Sequence, residues 1–286
     1  MQVFKTTLLM TVLTVVLLLI GDWLGGPAGL IIALIFAAGL NFASYFYSDK
    51  IALKTYNAQP VERQELPNVY RILEGLTGRE NLPMPKVYVI PNDSPNAFAT
   101  GRNPQHASVA VTRGILNLLT DEELEGVLGH ELGHVRNRDI LISSVAATLA
   151  GAIILIARFA GWAAMFGGFG GGDDREGGAL GAIALMIIAP VAAMLIQLAI
   201  SRSREYAADA AGAKWTGNPQ ALASALEKLE ASSQRRPMLA SPSTAHLFII
   251  QPRTRAFLAG LFSTHPPIPK RVERLLGHPV ETGERY

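Results

Sequence analysis

The sequence contains no cysteine. That absence excludes disulfides and any thiolate-held metal, so a tightly bound transition metal would have to use His, Asp and Glu. Histidine is itself scarce, at six in 286 residues, yet two of the six stand four positions apart. Aromatics make up only 7 % of a chain that is 49 % hydrophobic, so its apolar mass is aliphatic and alanine-rich. A large excess of one charge is also missing. A net charge of +2 gives no basic footprint, and no nucleic-acid partner is expected. What the chain does have is a mean hydropathy of +0.26, high for a soluble domain and suited to a bilayer.

The apolar residues are gathered into runs. The first extends from Val3 to Ile20, and a Gly/Pro turn from Gly21 to Pro27 separates it from a second, Ala28 to Tyr47. Each is near the ~20 residues that a helix needs to cross a hydrocarbon core. A cleavable signal peptide is the other reading of the first run, but no A-x-A site is evident and a second run follows at once. Two further runs, about Ile140 to Phe166 and Ala179 to Ile200, flank a Gly-rich acidic linker. They read as two more spans, or alternatively as a buried helical hairpin. Lys50, Lys54, Arg136, Arg138, Arg202 and Arg204 all border the runs on one side, whereas Arg175 is the only basic residue in the opposite loops. The positive-inside rule then puts the termini and the polar part in the cytoplasm.

The polar part divides in two around that hairpin. The expected organisation is a two-helix membrane anchor (1–47), a first domain segment (48–139), the hairpin (140–200) and a second domain segment (201–286). Leu66 to Leu76 has the pattern of an amphipathic helix, and Lys86 to Ile90 and Ser108 to Thr112 read as strands. Asn92 to Asn96 is turn chemistry. Thr120 and Glu123 form a capping box that opens a helix with Leu124, Val127, Leu128, Leu132 and Val135 on its apolar face.

On that helix lies His130-Glu131-Leu132-Gly133-His134, an H-E-x-x-H pattern. Four-residue spacing stacks both imidazoles on one face, where two nitrogens can reach one zinc ion. Glu131 is offset and can approach the attacking water as general base. A catalytic zinc wants a third protein ligand. The metzincin extension would need Gly at 137 and His at 140, but Asn137 and Ile140 stand there. Glu205 is the best remaining candidate, because it opens a helix just after an apolar run, and a returning hairpin would bring it to the histidines. Asp209, one turn on, can accept the far N–H of a ligand imidazole. Spacing alone leaves other acids open, Asp139 among them.

With these residues in view, the chain resembles the HtpX-type membrane proteases, relatives of the CAAX prenyl endopeptidases among the gluzincins. The resemblance rests on the two N-terminal runs, Asn96 to Gly101, His130 to Asp139, Glu205 to Asp209 and Ser263 to Pro267. It implies a mainly α-helical integral membrane protein with a cytoplasmic α+β, zincin-like metalloprotease domain. It implies zinc on His130, His134 and Glu205, about one ion per chain, with Glu131 as the base. Protein or peptide substrates follow, in the quality control of damaged membrane proteins under stress, in a bacterial inner membrane with several spans. The resemblance also implies that His265 stabilises the oxyanion and that Arg271 holds the C-terminal segment. From sequence alone His265 is equally a turn histidine. Asn96, Ala97, Phe98 and Ala99 could offer a strand edge to an extended substrate. A prenyl-protein processing protease and a zinc-holding membrane scaffold without proteolysis are the competing readings.

Overall fold

A computed structural model describes residues 2–139, 202–235, 249 and 266–277. The expected hairpin at 140–200, its linker and His265 lie outside the described residues. Elements are labelled in chain order among those described.

Helix α1 (Gln2–Thr55) is two helices joined at Gly25 and Gly26, whose backbones are non-helical, with Gly26 at φ 53°. Pro27 starts the second of them, where its missing N–H leaves nothing unpaired. The chain doubles back there. Leu17 and Ala37 are buried, and Asn41 Nδ2 donates to Thr14 Oγ1 across the hairpin at 3.0 Å. Among the described residues one segment, Gly25–Tyr47, is long and apolar enough to cross a membrane, with 23 residues and a mean hydropathy of 1.9. The helix does not stop at Tyr47. It runs on to Thr55 and lays Ala52 and Leu53 against the sheet.

The sheet has four strands in the order β1-β2-β4-β3: β1 (Gln59–Pro60), β2 (Lys86–Ile90), β3 (Ala97–Thr100) and β4 (Ser108–Thr112). The strands expected at 86–90 and 108–112 form and pair in parallel, Lys86 opposite Ser108. β3 lies antiparallel on the outer side of β4, with Ala99 opposite Val109, and is an edge of the sheet among the described residues. Side chains alternate with period two. Val87, Ala97, Ala99, Val109 and Val111 face the main core, while Ile90, Phe98 and Ala110 face the end of α1.

The main core is closed by helices. α2 (Pro67–Glu80) supplies Val69, Ile72, Leu73 and Leu76, close to the expected amphipathic stretch. The short α3 (Arg113–Leu118) leads into α4 (Asp121–Asn137), which opens on the expected capping box of Thr120 and Glu123. Beyond the undescribed stretch come α5 (Arg202–Thr216), α6 (Pro219–Arg235) and α7 (Ile268–Leu276). α4 is the hub: its Leu128 and Leu132 are 0 % and 1 % exposed. Burying a leucine this fully stabilises by roughly 1.5–3 kcal/mol.

Candidate active site

α4 and α5 touch backbone to backbone. A methyl group on Gly212 of α5 would fall 2.9 Å from His130 N, so only glycine allows this approach. The contact carries Glu205, in the first turn of α5, to the two imidazoles of α4. His134 Nε2 lies 3.4 Å from Glu205 Oε1, and His130 Nε2 lies 3.8 Å from Glu205 Oε2. One donor atom from each of His130, His134 and Glu205 falls within 4.8 Å of the others.

The far side of each imidazole is held by a carboxylate. His130 Nδ1 is 2.9 Å from Asp209 Oδ1, and His134 Nδ1 is 3.3 Å from Asp139 Oδ2. A carboxylate only accepts, so each Nδ1 carries the proton and each Nε2 presents a lone pair toward Glu205. Asp139 was open as a direct ligand; the structure gives it this supporting place instead. Arg138 is responsible, because its left-handed backbone (φ 56°) ends α4 and turns Asp139 back onto His134.

Asp209 is fixed in turn by Arg271 of α7, which donates from Nε to Oδ2 at 2.8 Å and from Nη2 to Oδ1 at 2.6 Å. Arg271 is fully buried, and its Nη1 also donates to the Ile249 carbonyl at 3.1 Å. Arg271 thereby links Ile249 to the carboxylate behind His130. Burial alone would raise the Asp209 carboxyl, but the Arg271 charge, its hydrogen bonds and His130 together outweigh it and hold the group down at about 2.

Glu131 is 6 % exposed, and its Oε2 accepts from the Ala99 N–H of β3 at 2.8 Å. Burial pushes its carboxyl above the usual range, against the pull of both imidazoles and of that N–H. Burial would lower His134, but Asp139 and Glu205 overcome it and the imidazole is pushed up to about 10, so at neutral pH its Nε2 lone pair is taken by a second proton that a bound cation would displace. Thr112 N–H donates to the Asn96 carbonyl at 2.9 Å. Antiparallel alternation then turns the backbone groups of Ala97 and Ala99 to the outer side of β3, where among the described residues no strand pairs with it.

The donor set suits a divalent cation. Two donors about 2.0–2.1 Å from a tetrahedral zinc lie about 3.4 Å apart, near the separations seen here. Four carboxylates (Glu131, Asp139, Glu205, Asp209) less two guanidiniums (Arg204, Arg271) leave two formal negative charges when both imidazoles are neutral. One side is also open. The His134 side chain is 15 % exposed and that of Glu205 11 %, whereas His130 is sealed at 1 %.

Residues 63–278 match the model of peptidase family M48. A protein named "Protease HtpX homolog" from Desulforapulum autotrophicum is 56 % identical over 283 residues, 98 % of this chain and 92 % of that one. One of the same name from Thermococcus sibiricus is 54 % identical over 274 residues, 95 % and 94 % of the two chains. Among solved structures, the fold is similar to that of Ste24p from S. mikatae, with a TM-score of 0.52 at 22 % identity. That likeness covers 86 % of this chain and 57 % of the other.

Proposed function

The chain belongs to peptidase family M48 and is a metallopeptidase, and on that premise we propose a membrane-anchored zinc endopeptidase. His130, His134 and Glu205 hold the ion, and Glu131 is the general base. The observation that carries this reading is the orientation of the imidazoles: each Nδ1 is tied to a carboxylate and each Nε2 faces Glu205.

Zinc, when bound, supplies Lewis-acid polarisation of the scissile carbonyl and a more acidic water. The chain supplies the rest. Glu131 holds Oε2 on the Ala99 N–H, which leaves Oε1 to take the proton of the attacking water and return it to the leaving amine nitrogen. Its burial supports the role, since a carboxyl raised above its usual range grips that proton more firmly. Asp209 and Asp139 keep the imidazoles in one tautomer. The substrate adds to the outer side of β3 as an extended strand beside Asn96, Ala97, Phe98 and Ala99. His265 is assigned to the oxyanion on the family resemblance alone.

The setting is a bacterial inner membrane, with several spans, a cytoplasmic catalytic domain, and damaged membrane proteins as substrates. The apolar segment Gly25–Tyr47 and the one-sided placement of basic residues support it. The test is casein cleavage by the purified full chain, with and without chelator, beside Glu131→Gln. That variant should keep its zinc and lose hydrolysis by roughly 10²-fold or more. Near-normal turnover in the variant, or indifference of the wild type to chelator, would sink the proposal.

A further inference from the structure

α1 carries a cluster of aromatic side chains where its apolar segment ends, well before the helix itself does. Phe42 and Phe46 rings lie 4.7 Å apart, Tyr45 and Phe46 4.9 Å, and Lys50 Nζ sits 5.3 Å from the Tyr47 ring. Phe42, Phe46 and Tyr47 are 40–56 % exposed at the end of the apolar segment. Exposed aromatics followed by lysine mark the level where a span leaves the bilayer.

β3 and the turn that follows it meet this same helix at two points. The Phe98 ring lies 5.7 Å from Tyr56, just past the helix end, and packs with Ala52 and Leu53. Four residues later, the Arg102 guanidinium lies 5.4 Å from the Phe46 ring. The strand therefore runs back down the helix toward the aromatic cluster. Ala99, whose N–H holds Glu131, stands three residues before Arg102. The ten residues from Phe46 to Tyr56 span about 15 Å of helical rise. Ala99 stands one strand residue, about 3.3 Å, back from Phe98 beside Tyr56, so Glu131 is on the order of 10 Å above the aromatic level.

Resting on the strand-addition reading above, we infer that the protease selects peptide bonds by their height over the bilayer, and that its preferred substrates are extended juxtamembrane segments of proteins anchored in the same membrane. The helix and the strand act as a fixed spacer. An anchored chain with too few extended residues outside the membrane cannot reach Glu131. One whose reach matches the spacer is presented at high effective concentration, and longer tethers dilute that advantage gradually.

The experiment uses the full chain in lipid nanodiscs. Each substrate is a single apolar helix in the same disc, followed by one fixed cleavable segment taken from a mapped casein cut. Gly/Ser spacers from none to about twenty residues move that segment outward. Cleavage should be lost below about three spacer residues, since that is the extended length of the gap. It should peak near four to eight and fall about tenfold for the same peptide without its anchor. A flat profile with casein still cleaved overturns the inference alone. Loss of casein cleavage as well overturns the protease reading beneath it.

Discussion

Exchanging one oxygen of Asp209 for an amide nitrogen would place N–H groups against partners that are themselves donors. Asp209→Asn should weaken metal retention about 10- to 100-fold in chelator competition. It should also lower unfolding stability by about 3 kcal/mol, because the buried Arg271 loses its counter-charge. Unchanged retention would show that the Nδ1 support is dispensable. Glu123 carries a different sort of charge, one that serves only the fold. Its carboxylate accepts from Ser224 Oγ at 2.6 Å, Lys228 Nζ at 2.8 Å and Thr120 N at 2.9 Å. Burial would raise it, yet these partners together hold it below the usual range. A folded value below the unfolded one gives stability that is full above about pH 4.3 and fades as pH falls through the folded value. Glu123→Gln should therefore cost about 1–2 kcal/mol at neutral pH. The gap between the two melting temperatures should shrink as the pH falls through that lowered value, and a gap of equal size at neutral and strongly acid pH would refute the account.

Among the elements, the α4–α5 contact decides whether the site exists. Gly212→Ala puts a methyl group 2.9 Å from one backbone nitrogen and 3.1 Å from the Gly126 carbonyl, and neither can move aside alone. The helices should part, at about 1–3 kcal/mol. Glu205 recedes with α5, so metal affinity should fall even though every proposed ligand is intact; isothermal titration of the apoprotein would read it. Wild-type affinity in this variant would mean that α5 is positioned by something else. This contact was not legible beforehand, because a close approach between residues 82 to 86 positions apart leaves no periodic mark. The cap of α4 was legible, since Thr120 and Glu123 are three positions apart and their bonds are local. So was the His pair. Asp139 stayed ambiguous because its direction depends on Arg138 adopting a left-handed backbone, a conformation that glycine or asparagine would have announced.

At the scale of the whole molecule, the turn at Gly25–Gly26 and the cysteine-free chain allow a direct test of the proposed topology. Single cysteines at Asp22 and Gln64, both exposed, should label from opposite sides of the membrane. Labelling of both from one side would remove the span at Gly25–Tyr47. The hairpin itself could be read from Gly-Gly-Pro between two apolar runs. The continuation of its second helix through Thr55 could not, since Ala52 and Leu53 look ordinary until the sheet is there to receive them. The grip of Arg271 on Asp209 has a consequence in time as well as in space. It joins α7 to a histidine pair that leaves the ribosome some 140 residues earlier. A nascent chain can carry both histidines and Glu131 long before it contains the arginine that steadies them, so the site waits for some 140 further residues of synthesis before it is complete.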